Sequence, residues 1–246
     1  MVNNCIKVIN GEFGYKKNNR DLQILHTINF EIDNGDFVGV VGLNGNGKST
    51  LLKSLCGLLP VLKGEIFIEG SLISSISNNE LAKKIAVVLT EKISGFNLTS
   101  FDAVASGQLP YTNIFNKLES HHLKIIEEAI EICGLKSHQH KLLSELSDGL
   151  FQKTMVAKSI AQQTRIMLLD EPSAFLDYAS KHQLFILLKT LTQQKQKCIM
   201  VSSHDLDLIL KYCNKILLVK NYSAQMFSVD EAKLQPAFQE LTGGYL

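Results

Sequence analysis

The chain has 246 residues, 45% of them hydrophobic, and a formal net charge of +1 from 25 basic and 24 acidic side chains. That length suits one large α/β domain or two small ones, and the near-neutral charge gives no electrostatic case for nucleic acid or for direct binding to anionic lipid. The start of the chain lacks a basic segment followed by an apolar one, and no run approaches the roughly 18 apolar residues that span a bilayer, so a cytosolic chain is expected.

Residues 6–32 alternate apolar and polar side chains in two stretches, around Ile6-Val8-Ile9 and Ile28-Phe30-Ile32, with polar Lys16-Lys17-Asn18-Asn19-Arg20 between them. The pattern predicts an antiparallel pair. Tyr15 stands at the end of the first strand, where its ring could stack on a nucleotide base, and Phe13 competes for that role.

Phe37-Val38-Gly39-Val40-Val41 reads as a buried strand and Leu51-Leu52-Lys53-Ser54-Leu55-Cys56 as the opening of a helix. Between them, Gly42-Leu43-Asn44-Gly45-Asn46-Gly47-Lys48-Ser49-Thr50 carries the GxxxxGK[ST] spacing of a phosphate-binding loop in the context that motif demands. Glycines let consecutive N–H groups turn inward around phosphate oxygens at the positive end of the following helix. Lys48 supplies a point charge for β/γ-phosphates, and the Ser49 hydroxyl is placed to ligate Mg²⁺.

Residues 64–70 alternate with period two between glycines, a short strand, and Ser77-Asn78-Asn79-Glu80 fits a capping box before the apolar strand at 85–89. From 90 to 161 the spacing becomes helical, with apolar periodicity over 121–133, a stop at Gly134, and a second periodic stretch over 151–160. A helical subdomain is therefore expected between strands of a core.

Arg165-Ile166-Met167-Leu168-Leu169-Asp170-Glu171 is a buried strand closing on two carboxylates. Asp170 is expected to hold Mg²⁺ through water and Glu171 to polarise the water that attacks a γ-phosphate. Lys197-Cys198-Ile199-Met200-Val201-Ser202-Ser203-His204-Asp205 is another strand, delivering His204 at its carboxyl end, on the same sheet edge. Residues 215–219 are expected to be the last strand of the sheet, and Ser228-Val229-Asp230-Glu231 opens a C-terminal helix. The five cysteines, Cys5, Cys56, Cys133, Cys198 and Cys213, form no CxxC pair and read as reduced thiols. Cys133, His138 and His140, with His121 and His122 upstream, do not fit a common zinc spacing.

With these pieces in order, the chain resembles the ATP-binding subunit of an ABC transporter over nearly its whole length. The deciding stretch is Leu146-Ser147-Asp148-Gly149-Leu150-Phe151-Gln152, which is similar to the ABC signature. The resemblance implies a P-loop NTPase fold: a RecA-like parallel core with an antiparallel N-terminal β-subdomain and an inserted α-helical subdomain. Its implied division is a nucleotide-binding domain over 1–225, with core 1–89 and 162–225 and helical arm 90–161, then a helix and tail over 226–246.

The resemblance also implies ATP and Mg²⁺ as cofactors, Tyr15 as the base-stacking aromatic, and His204 as the switch histidine. It further implies a head-to-tail homodimer in which Ser147, Asp148 and Gly149 of one subunit cap ATP on the other's loop. Ser173-Ala174-Phe175-Leu176-Asp177 is similar to the loop that communicates across that dimer. Transmembrane permease subunits and, indirectly, a periplasmic or surface binding protein are the implied partners, with the subunit peripheral on the inner face of the cell membrane.

Three positions depart from the family pattern. Thr90 followed by Glu91 stands where Gln usually ends the 85–89 strand and touches the metal; Asp148-Gly149-Leu150 stands where Gly-Gly-Gln is commonest; and Gln108 stands where Arg is common. Residues 98–104 and 107–111 are similar to the subfamily that imports ferric siderophores, haem and cobalamin. An exporter or lipoprotein-release ATPase, and a soluble ABC ATPase acting as a scaffold, share the nucleotide-site residues and remain the alternatives.

Overall fold

The computed structural model describes residues 4–17, 20–90, 97–113, 115 and 117–241, so Asn18, Asn19 and Glu91 of the readings above lie outside the described residues. Two strands, β1 (Asn4–Lys17) and β2 (Arg20–Asp33), pair antiparallel, as their alternation predicts. With β4 (Val61–Ile68) and β5 (Ser71–Leu72) they form a four-stranded antiparallel sheet in the order β2-β1-β4-β5.

The second sheet has six strands: β3 (Phe37–Val41), β6 (Ile85–Val88), β7 (Ile166–Asp170), β8 (Cys198–Ser202), β9 (Lys215–Lys220) and β10 (Ser223–Ser228), in the order β10-β9-β3-β8-β7-β6. Every pairing is parallel except β9 with β10. That exception corrects the expectation that residues 215–219 close the sheet. Asn221 and Tyr222 both sit at positive φ, 51° and 62°, as a two-residue type I′ hairpin requires, and they return the chain as an antiparallel edge strand. β10 ends at Ser228, and the chain continues as α8 (Val229–Lys233) and α9 (Pro236–Leu241). Ser228 caps α8 in the full capping box read from its sequence.

Both faces of the six-stranded sheet are covered, so its inner strands β3, β7 and β8 are buried at every residue. In β7, Ile166 and Leu168 face one core and Met167 and Leu169 the other; in β3, Val38 and Val40 oppose Phe37 and Val41. The first core fills the space between the two sheets with α1 (Lys48–Leu55), through buried Leu51, Leu52 and Leu55. The second lies under α6 (Tyr178–Lys195) and α7 (Leu206–Tyr212), with the aromatic ring of Phe185 fully buried against Phe37 at 6.0 Å. His26 N–H donates to the Tyr222 carbonyl at 2.8 Å, pinning the antiparallel sheet to the new edge hairpin.

After α2 (Asn78–Lys84), whose first turn is capped by the Ser77 hydroxyl, and β6, the described chain is helical until β7. The helices are α3 (Ser100–Ala105), α4 (Ser120–Ile132) and α5 (Asp148–Ala161). Gln108, the departure from Arg, is buried and donates to the Ala161 carbonyl, tying the segment after α3 to the end of α5. Among the described residues no helix is long and apolar enough to cross a membrane.

Candidate nucleotide site

The strand order carries the site. Strands β3, β8 and β7 lie side by side and parallel, so the loops leaving their carboxyl ends meet along one edge, where open α/β sheets bind ligands. The 42–50 loop leaves β3, Asp170 and Glu171 end β7, and His204 follows β8.

In the loop, Gly47 caps α1 from the left-handed region at φ 96°, and a Cβ there would lie 2.6 Å from Ile24 Cγ2. Only glycine fits both demands. Leu43, Asn44 and Gly45 are exposed, and the Asn46 amide donates to the Val219 carbonyl at 3.4 Å. Lys48 folds across the loop and donates to the carbonyls of Gly42 at 2.8 Å and Leu43 at 3.3 Å. Burial holds its ammonium below the ordinary lysine value, against the opposing pull of Glu171 and Asp170. An ammonium held by carbonyl oxygens is ready to exchange them for phosphate oxygens.

Ser49 is exposed beside it, while Thr50 is buried and lies 3.2 Å from the Tyr15 hydroxyl. Phe13 is fully buried in the core between the sheets, but Tyr15 is 40% exposed beside the start of α1. Of the two rings, Tyr15 is the one open to solvent. Tyr15→Ala is expected to weaken ATP binding about tenfold, as loss of a base–aromatic stack does, while Tyr15→Phe keeps most of the affinity. Titration with a fluorescent ATP analogue checks both.

Across the edge, Asp170 is 3% exposed. Its Oδ1 accepts from the Ser202 hydroxyl at 2.6 Å, and the Thr90 hydroxyl lies 3.3 Å from its carbonyl oxygen and 3.4 Å from its Oδ2. Hydroxyls of Ser49 and Thr90 with the Asp170 carboxylate make an all-oxygen donor set, which suits a hard divalent cation.

Glu171 adopts φ +50°, a conformation that costs a residue with a Cβ about 1–3 kcal/mol. Its N–H is held by Ser202 twice, by the carbonyl at 3.2 Å and the hydroxyl at 2.9 Å. The turn sends the Glu171 side chain to His204, Oε1 to Nε2 at 2.7 Å.

Ser202 escaped the sequence reading although it stands two residues before His204. A hydroxyl at a strand's carboxyl end beside an Asp-Glu strand was the available signal. It is fully buried and serves both Asp170 and Glu171. Ser202→Ala is expected to lower stability by about 1–3 kcal/mol, since it leaves a buried carboxylate short of a donor. A urea denaturation midpoint unchanged from the native chain would refute that role.

A second missed group is Asp205, which takes Lys181 Nζ at 2.9 Å and the Ser173 hydroxyl at 3.3 Å. It joins the loop at 173–177 to the His204 turn.

The signature residues stand at the start of α5. Ser147 caps α5 by accepting from Leu150 N–H at 3.4 Å, and Asp148 stands exposed in the first turn, where a carboxylate suits the positive helix end. A Cβ on Gly149 would come 3.2 Å from the Phe175 carbonyl, so this helix start rests on the 173–177 loop of its own chain. Asp177 ends that loop as the cap of α6. The Ser180 N–H at 2.9 Å and hydroxyl at 2.8 Å hold its carboxyl below the usual range.

The profile of the ABC transporter family matches residues 25–174, a span that contains the phosphate loop, the signature helix and the Asp170-Glu171 pair. The chain belongs to the ABC transporter family. It is an ATP-binding subunit and an ATPase of that family, whose ATP-binding subunits work with transmembrane permease components and form dimers.

It is 38% identical to an uncharacterized ABC transporter ATP-binding protein of Methanocaldococcus jannaschii, over 85% of this chain and 72% of that one. A petrobactin import ATP-binding protein of Bacillus anthracis is 29% identical over 89% of this chain and 81% of its own. Among solved structures, an inward-facing conformation of an ABC transporter assigned to the metal-chelate type superposes with a TM-score of 0.82 at 26% identity, covering 98% of this chain and 90% of that one.

Proposed function

We propose that this ABC ATPase is the engine of a metal-chelate importer, hydrolysing ATP with Mg²⁺ at a head-to-tail dimer interface to drive a separate permease. The observation that carries the cargo class is the likeness over nearly the whole chain to a metal-chelate type transporter, alongside a relative named for petrobactin import. The subunit itself works in the cytoplasm, held at the membrane by its permease.

Within the site, the 42–50 loop with Lys48 binds the phosphates, Tyr15 stacks on the base, and Ser49, Asp170 and Thr90 hold Mg²⁺. Bound there, Mg²⁺ would supply charge neutralisation for the phosphates. Glu171 orients and deprotonates the attacking water, and His204, already in contact with Glu171 at 2.7 Å, senses the γ-phosphate. Ser147 and Gly149, whose contacts above lie within α5 and the 173–177 loop, serve the nucleotide on the partner subunit, with Asp148 beside them and Asp177 at the subunit boundary. Thr90 reaches Asp170 with a shorter side chain than the usual Gln, so it would help hold the metal beside that carboxylate while giving up reach toward the permease.

The test is to express the chain with the permease encoded nearest to it and to measure ATPase activity of the purified complex. Stimulation by a binding protein loaded with a ferric chelate supports the importer. A chain that hydrolyses ATP alone and binds no permease overturns it in favour of a soluble scaffold.

A further inference from the structure

On the edge of the core opposite the phosphate loop, near the amino ends of β7 and β8, a cavity of about 330 Å³ opens between α4, the α5–β7 connection and the end of α6. Part of its lining is apolar: Ile125 and Ile132 from α4, Ile160 from α5 and Leu191 from α6. Its charged lining is Arg165, Lys195 and Lys197 against one carboxylate, Glu128.

Lys197 is only 7% exposed, and its ammonium donates to the Thr164 carbonyl. Among the described residues no carboxylate lies within ion-pair distance of Lys195 or Lys197. Arg165 stands 3.7 Å from Glu69, a carboxylate that Lys84 holds more closely at 2.5 Å. A buried ammonium with a single carbonyl partner is poorly compensated.

We propose that this cavity binds a small amphiphilic anion, a carboxylate or phosphate head on a short apolar chain. The head sits among Lys195, Lys197 and Arg165, supplying the missing counter-charge. Its chain lies against the isoleucines and Leu191, removing apolar surface from water. The volume falls at the small end of small-molecule sites, which sets a short chain as the occupant. Such a ligand touches α4 of the helical arm and α6 of the core together.

Protonation adds a signature. Burial first, and the neighbouring Lys195 charge second, lower Lys197 to about 8. The groups facing it are Glu128 from α4, Arg165 ahead of β7 and Lys195 from α6. As pH rises through that value the ammonium loses its proton and the anion its partner, so affinity falls.

Calorimetric titration of the full chain with octanoate, octyl phosphate, octanol and inorganic phosphate tests the proposal. At least one octyl anion is expected to bind below about 1 mM, with octanol and inorganic phosphate at least about tenfold weaker, since each lacks one half of the match. The better of the two octyl anions identifies the head group. Lys195→Glu, on the exposed end of α6, is expected to weaken binding at least about tenfold with basal ATPase unchanged. Native affinity should fall severalfold between about pH 7 and 9. No octyl anion binding below about 1 mM, octanol binding equal to octanoate, or undiminished binding by Lys195→Glu would each overturn the proposal.

Discussion

Glu171→Gln is expected to cut the rate of ATP hydrolysis by at least about a hundredfold while leaving ATP affinity near the native value. The size follows from loss of a general base, which contributes about 10²–10⁴ in rate. Gln keeps the shape of Glu171 and can still meet His204, whose Nε2 now lies 2.7 Å from Oε1. The backbone at φ +50° is held by Ser202 through main-chain contacts that the substitution does not touch. Binding without hydrolysis should then trap ATP between two subunits, so size-exclusion chromatography with ATP should show a persistent dimer that the native chain does not accumulate. Turnover at the native rate would remove Glu171 from the chemistry.

Lys48→Ala should act on the other half of the cycle, weakening ATP binding about 10- to 100-fold, the range for a hydrogen bond to a charged group. Among the described residues its ammonium hydrogen-bonds to the carbonyls of Gly42 and Leu43. Removing a desolvated cation that lacks a carboxylate contact should leave the fold intact. Equilibrium ATP binding and a thermal melt on the same sample separate the two effects. Unchanged affinity would refute the role of Lys48, whereas a collapsed melt would make it structural.

The two rings at the start of the chain show how far local reading reaches. Phe13 and Tyr15 are two residues apart in β1, so a regular strand would put both on one face. The β1–β2 register shifts between Phe13 and Gly14, and the irregularity turns Tyr15 out beside Thr50 while Phe13 stays in the core. Nothing in the alternation of residues 6–15 announces that shift, because it depends on which residues of β2 and β4 lie alongside. The hairpin at Asn221-Tyr222 was missed for a related reason: Tyr gives no signal for positive φ, and the strand it starts is stabilised by pairing with β9.

By itself the sequence determined the phosphate loop, the signature helix start and the Asp170-Glu171 strand end. Each is legible because its diagnostic residues, the spaced glycines with Lys48, the Ser147 cap and the apolar run closing on two carboxylates, stand within a few consecutive positions. Tertiary structure alone decided that β8 runs between β3 and β7, which puts Ser202 against both Asp170 and the strained Glu171. It also gathered Arg165, Lys195 and Lys197 around one cavity on the opposite edge. Those neighbours come from the order of strands and the packing of helices far apart in the chain, where no local pattern records which side chains will meet.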